Sequence, residues 1–169
     1  MSIKIKIDEI VASNSTVVSS YIAADSALEI KFDCDLSAIS LGERLNKSIG
    51  IRDRTILLIF GGLTLTFSGE VLGLTQIDAY TNNSKWVNAN IALPSKVSSA
   101  KCSIQASTDD DRISFDCEPG YIFDGNEHRL LIKLSEEDGA IFYRLADNLI
   151  VGIAGEKIAS LIVENVVIR

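Results

Sequence analysis

A two-residue alternation of apolar and polar side chains recurs along this chain and constrains its fold more than any other feature. Ile3, Ile5 and Ile7 alternate with charged residues near the start of the chain. The same alternation recurs in residues 28–34, 87–93, 102–106, 113–117 and 130–134. Because successive side chains of a strand point to opposite faces of a sheet, this pattern predicts a series of half-buried β-strands.

Short turn signals separate these segments, and no alternation of strands with long helices is visible. They fall at residues 13–15, 61–62, 81–84, 108–111, 118–120 and 136–139. Many short strands with such punctuation are typical of antiparallel sandwiches and barrels. We therefore predict an all-β fold, an antiparallel β-sandwich of jelly-roll type that forms a single domain over residues 1–169. We expect at most one or two short helical turns, one of them at residues 40–47, which begin with a capping-box pattern.

The segment at residues 140–155 fits two structures. Ile141, Leu145, Leu149 and Ile153 are spaced by four residues, which is the spacing of a helix face. The Asp147-Asn148 pair, however, is a good tight-turn dipeptide and would join two strands as a hairpin. Periodicity alone leaves both alternatives open.

Composition limits the classes of partner. The net charge is −7, and no stretch is densely basic, so we expect no nucleic-acid binding. The longest purely apolar run, residues 56–60, is far shorter than the roughly 20 residues that a membrane helix needs, so we expect no membrane insertion. Hydrophobic residues make up 47% of the chain, and this excess predicts a large core, a subunit interface, or both. A homo-oligomer or an assembly partner is the expectation.

The N-terminus lacks the pattern of a signal peptide, which favours cytoplasmic expression or a virus or phage particle. The three cysteines, Cys34, Cys102 and Cys117, have no CxxC spacing and no companion histidines, which argues against a zinc site. We expect reduced, mostly buried thiols, with a Cys34–Cys117 disulfide as the alternative.

The last ~50 residues carry short motifs at the turns and strand starts. Asp124, Gly125 and His128 open an apolar strand, and residues 160–168, which contain Glu164-Asn165, form a final apolar segment. Between them lie the hairpin positions Tyr143, Asp147, Val151 and Gly152. This arrangement resembles the closing half of a laminin-G-like, concanavalin A-like sandwich domain. The chain departs from the family pattern at Glu127, where the family has tryptophan, and at Asn148, where it has the turn glycine.

The resemblance implies two antiparallel sheets packed face to face, with a core about 10 Å thick. Residues 140–155 would then form a hairpin, and residues 56–60 would be a central strand buried on both faces. His128, the only histidine, would fix the turn and start its strand rather than act as a base. Calcium at a loop rim is a further implication, and Asp109, Asp110 and Asp111 are the candidate ligands, with a solvated turn as the alternative.

The best candidate for a ligand site lies in residues 80–90, where an aromatic side chain is surrounded by amides. Sugar rings have apolar faces and polar rims, so they are bound by a flat aromatic side chain together with hydrogen-bonding groups. Trp86, Asn88 and Asn90 share one parity of a strand and would project from one face. The predicted ligand-binding residues are Trp86, Asn88, Asn90, Tyr80 and Asn82. The alternative is a polar outer face on which Trp86 covers a sheet edge or a subunit contact.

No catalytic arrangement is visible. Glycoside hydrolases of this superfamily carry Glu-x-Asp-x-x-Glu on one strand, and that triplet is missing. We therefore expect no enzyme and no cofactor other than the calcium alternative. The sequence predicts a recognition module that binds carbohydrate, at a cell surface or on a virus or phage particle. The alternative is a structural or assembly protein, such as a virion or tail component.

Overall fold

The computed structural model describes residues 3–12, 15–33 and 54–169, with only the backbone described at residue 33. Almost all of these residues belong to strands or to the turns between them, which confirms the predicted all-β fold. A single 3-10 turn, Asn83–Lys85, interrupts the strands of the described ranges. The helical turn predicted at residues 40–47 and Cys34 lie outside the described residues. The strands are β1 (Ile3–Glu9), β2 (Thr16–Ile22), β3 (Ala27–Asp33), β4 (Thr55–Phe60), β5 (Leu63–Ser68), β6 (Gly73–Tyr80), β7 (Val87–Asn88), β8 (Ser98–Ala106), β9 (Arg112–Phe115), β10 (Gly120–Asp124), β11 (Arg129–Lys133), β12 (Ile141–Ala146), β13 (Leu149–Ala154), β14 (Lys157–Val163) and β15 (Val167–Ile168).

The strands form two layers that are joined into one curled sheet. The first layer has the order β15-β2-β3-β6-β5-β4-β9, and the second has the order β12-β13-β14-β11-β10-β7. Strand β8 connects them, because it pairs with β6 at Gly73 and Ser103 and with β12 at Ser98 and Tyr143. Strand β1 pairs with β8 along its whole length. One continuous core collects buried side chains from both layers.

Most pairs are antiparallel, as predicted, but four of the described pairs are parallel: β4–β9, β7–β10, β8–β12 and β2–β15. The paired strands are far apart in sequence in every case. A parallel pair needs a long crossover connection, whereas a tight turn gives an antiparallel pair. The turn signals in the sequence therefore predict the hairpins and miss the strands that return from a distance.

Residues 140–155 form a hairpin, not a helix. Strands β12 and β13 pair antiparallel around Asp147-Asn148, with Ile141 opposite Ile153 and an irregularity between Arg144 and Ala146. The four-residue spacing of apolar side chains is compatible with strands because β13 is buried at all six positions. A strand buried on both faces carries no alternation that could be distinguished from a helix.

The prediction that residues 56–60 are buried on both faces is wrong. Ile56 and Leu58 are fully buried, whereas Leu57 and Ile59 on the opposite face are only half-buried. The outer face of the second layer is covered by residues 89–97, where Ile91 packs against Ile150 and Ile162. This covering explains why β13, rather than β4, is buried on both sides.

The two described cysteines carry free thiols. Burial raises the pKa of Cys102 to about 12. Cys117 donates from its Sγ to the carbonyl oxygen of Leu134 at 3.0 Å. The Cys34–Cys117 disulfide alternative involves Cys34, which lies outside the described residues. In the described part of the chain, no helix has the length and apolar character needed to span a bilayer.

Candidate functional site: a groove on the outer face of the second layer

Trp86 is a core residue, and its expected exposure on a strand face is wrong. Only 6% of its surface is exposed, and its ring centroid lies 4.7 Å from Tyr21 and 5.7 Å from Phe123. Its indole N–H donates to the Thr81 hydroxyl at 2.9 Å. Trp86 immediately follows the 3-10 turn and precedes a two-residue strand, so the parity it shares with Asn88 does not place both side chains on one face.

The other four predicted ligand-binding residues do not form one cluster. Tyr80 is 79% exposed at the end of β6. Asn82 caps the 3-10 turn, where its side-chain oxygen accepts from the Ser84 N–H at 2.9 Å. Asn88 is exposed on the edge strand β7. Of these four residues, Asn90 is the one that lines the groove described next.

That cavity is a groove of about 440 Å³ on the outer face of the second layer. Side chains of β10, β11, β12 and β14 form its apolar floor: Ile122, Leu131, Phe142 and Ile162. Residues 89–94, which cross this face without regular secondary structure, form one wall. A volume of this size, with an apolar floor, falls in the range of small-ligand pockets.

Gly152 makes room for the aromatic side chain of the groove. It lies opposite Phe142 on β12 and opposite Ser160 on β14. A Cβ at residue 152 would stand 2.9 Å from Cε1 of Phe142 and 2.6 Å from Oγ of Ser160. Because glycine has no side chain, the Phe142 ring lies directly over the backbone at residue 152.

Polar side chains surround this floor. Asn90 comes from the crossing segment, Ser160 from β14, and Lys133, Ser135 and Glu137 from the end of β11 and the loop that follows it. The ammonium of Lys133 contacts Oε2 of Glu136 at 2.8 Å. The groove thus offers amide, hydroxyl, ammonium and carboxylate groups around an apolar centre.

Asp124 holds the wall of the groove in place. Its Oδ2 accepts from the backbone N–H of Ile91 at 2.9 Å, and its Oδ1 accepts from the N–H groups of Asn126 and Glu127 at 3.1 and 3.2 Å. The hydrogen bond from Ile91 is the largest cause that lowers the pKa of Asp124. Arg129 also holds Ile91, because its guanidinium donates to the Ile91 carbonyl oxygen at 3.2 Å.

His128 contributes its backbone rather than its ring to the turn between β10 and β11. It has a left-handed φ of 52°, and its carbonyl oxygen accepts from the Val166 N–H at 2.9 Å. The side chain that organises this turn is Asp124, as its three backbone partners show. Glu127 is exposed, and its Oε2 lies 3.3 Å from Nη2 of Arg129.

The three aspartates that were candidate calcium ligands are not assembled into a site. Asp109, Asp110 and Asp111 are exposed, and Oδ2 of Asp110 lies 3.2 Å from the Thr108 hydroxyl. Among the residues that the structure describes, no group of three or more His, Cys, Asp or Glu side chains could hold a metal ion. The geometry at 108–111 is that of a turn stabilised by its own side chains.

Comparison with protein-family models, with curated proteins and with solved structures found no match to this chain. The resemblance of its C-terminal motifs to laminin-G-like domains therefore stays a prediction.

Asn90 is the one groove-lining residue among the ligand-binding residues predicted from the sequence, and the prediction did not include the others. Phe142, Gly152 and Ser160 belong to three different strands, and only the pairing register brings them together. One signal was present in the sequence: β13 and the adjacent β14 contain apolar residues at consecutive positions. Such runs indicate strands with a cover on both faces, and hence a segment crossing the outside of the sheet.

Proposed function

We propose that this protein is a non-enzymatic recognition module that binds carbohydrate in the groove on the outer face of its second layer. The observation that carries the proposal is the Phe142 ring, which lies over Gly152 on an apolar floor with polar side chains around it. A pyranose could stack one apolar face on the ring while its hydroxyl groups bond to the surrounding side chains. The resemblance to lectin-like sandwich domains is a further reason for this choice.

The carboxylates of the groove favour binding over hydrolysis. Glycoside hydrolysis needs two carboxyl groups on opposite sides of the scissile bond. Among the described residues that line the groove, Glu137 is the one carboxylate, and the neighbouring Glu136 is paired with Lys133. A module of this kind would gain avidity from several copies on one particle or surface.

A glycan array with the wild-type protein and Phe142→Ala tests the proposal. We expect the wild type to bind a defined set of glycans and the variant to lose about tenfold or more in affinity, because a stacked aromatic contact is removed. Tyr80→Ala is the matched control, since Tyr80 is an exposed aromatic residue outside the groove. If the wild type binds no glycan, or if Phe142→Ala binds as well as the wild type, the proposal fails.

A second candidate function, a structural or assembly protein, is favoured by one apolar surface. Val18 and Ile22 on β2 share the outer face of Ser20, and Val167 on β15 lies opposite Ser20. Val18 and Val167 are 64% and 49% exposed. We propose that copies of the chain would associate through this surface, because exposed apolar clusters mark contact sites.

Sedimentation velocity distinguishes this second function. An assembly function predicts a defined oligomer for the wild type and a monomer for Val18→Glu. Lys31 lies directly opposite Val18, so the new carboxylate is accommodated in the folded chain. Val71→Glu, at a residue 76% exposed elsewhere, is the control and should leave the oligomer intact. A monomeric wild type would exclude assembly through this face.

A further inference from the structure

We propose that a second cavity, separate from the groove, binds a small apolar carboxylate. The cavity has a volume of about 430 Å³ and lies between the turn before β11 and the last strand, β15. Its lining residues are Phe123, His128, Asn165, Val166, Val167 and Ile168. This site shares no lining residue with the groove and does not depend on the carbohydrate proposal.

The apolar part of the cavity is suited to a hydrocarbon or aromatic body. Val166 is fully buried beneath it, and Phe123 packs against the core from β10. Val167 and Ile168 remain 49% and 44% exposed although they belong to a strand. An apolar ligand would cover these side chains and gain free energy in proportion to the area removed from water.

Three nitrogen donors near the cavity indicate which polar group its ligand would carry. The imidazole of His128 and the carboxamide of Asn165 have no hydrogen-bond partner among the described residues. Arg169 bonds to the end of β2 and to the residue after it, since its N–H donates to the Tyr21 carbonyl oxygen at 2.8 Å and its own carbonyl oxygen accepts from the Ala23 N–H at 2.9 Å. In a parallel pair, alternate residues direct their N–H and C=O groups to the partner strand. Because Arg169 bonds toward β2, the N–H of Ile168 points away from β2 to the open edge, and this N–H is the third donor.

A carboxylate fits these donors better than a neutral or cationic group. The lining contains no Asp or Glu side chain that would repel it. A carboxylate accepts hydrogen bonds from N–H donors of this kind, and a hydrogen bond to an ionised group is stronger than one between neutral groups.

Glycine substitutions at both polar residues remove the side chain without straining the backbone. His128 and Asn165 have left-handed φ values of 52° and 58°. Glycine adopts this conformation without a steric penalty, so His128→Gly and Asn165→Gly remove each side chain and keep the turn. Ser26→Gly is the matched control, because Ser26 has a φ of 52° in a turn whose residues do not line the cavity.

The experiment titrates 15N-labelled protein with 3-phenylpropionate and, separately, with its neutral isostere 3-phenylpropanamide. We expect saturable shifts of the Val166, Val167 and Ile168 amide signals with a Kd on the order of 1 mM, which is typical of a ligand this small. The amide isostere should bind about tenfold more weakly. Both glycine variants at the cavity should weaken 3-phenylpropionate binding about tenfold, and Ser26→Gly should not.

Three results would overturn the proposal. The first is the absence of saturable shifts with 3-phenylpropionate. The second is equal affinity for the carboxylate and the amide, which would exclude the assigned head group. The third is unchanged affinity in both His128→Gly and Asn165→Gly. The Phe142→Ala variant should bind 3-phenylpropionate normally, so failure here is distinguishable from failure of the carbohydrate proposal.

Discussion

The carboxamide of Asn148 pairs with the backbone of Val17 as a neighbouring strand would. Its Oδ1 accepts from the Val17 N–H at 3.3 Å, and its Nδ2 donates to the Val17 carbonyl oxygen at 2.9 Å. Asn148 lies in the turn between β12 and β13, and Val17 lies on β2, so this pair links the two layers of the sandwich. A glycine at residue 148 could not make this link, because it has no carboxamide.

Asn148→Ala should lower the free energy of unfolding by about 1–3 kcal/mol, because it leaves the Val17 N–H and C=O without these partners. Urea denaturation followed by circular dichroism measures the change. Asn88→Ala, at an exposed amide on β7, is the control and should fall within about 0.5 kcal/mol of the wild type. Equal loss in both variants would argue against a specific role for Asn148.

Trp86→Ala should destabilise the protein by about 3–5 kcal/mol, since it removes a large buried aromatic side chain from between the two layers. The same burial predicts a blue-shifted fluorescence emission from this single tryptophan and slow quenching by acrylamide. Tyr80→Ala, at an exposed ring, should change stability by no more than about 0.5 kcal/mol. A red-shifted, readily quenched Trp86 would contradict its placement in the core.

Gly152→Ala should cost about 1–3 kcal/mol, because the added methyl group would meet Phe142 and Ser160 at distances below 3 Å. It should also weaken the binding of any ligand in the groove, since the Phe142 ring must move. Gly120→Ala is the control in the same layer, because its methyl group would stand 3.8 Å from Cβ of Lys133, an ordinary contact. Comparable stability of the two variants would show that the ring has space to shift.

Asp124 should make stability depend on pH in the acid range. Its folded-state pKa is lowered below the ordinary value of 3.8, first by the Ile91 hydrogen bond. Its stabilising contribution is therefore fully present above the unfolded-state pKa and is lost as the pH falls through the folded-state pKa. Asp124→Asn should have a lower Tm than the wild type at neutral pH.

The difference in Tm between these two proteins should shrink as the pH falls below about 3.8. Thermal unfolding of both proteins across this range measures it. A difference that stays constant, or grows toward acid pH, would show that the carboxylate is not the cause. Asp109→Asn, at an exposed residue of a turn, is the control and should leave the Tm at neutral pH close to that of the wild type.

The local periodicity of the sequence determined the all-β fold and several of its hairpins. Alternation in β1, β3, β8 and β11 predicted strands at those places, because a side chain's face is set by its own position in the pleat. The Asp147-Asn148 dipeptide marked the turn between β12 and β13. These features depend on residues close together in the chain, and a pattern in the sequence can show them.

Burial, by contrast, depends on what covers a face, and only the tertiary structure decided it. Trp86 is buried because Tyr21 and Phe123 come from two different layers to enclose it, and β13 is buried on both faces because residues 89–97 cross the second layer. The groove has the same origin, since the Phe142 ring lies over Gly152 through a register set between strands. Contacts between distant segments leave no local period in the sequence, so the strands were predictable and the candidate sites largely were not.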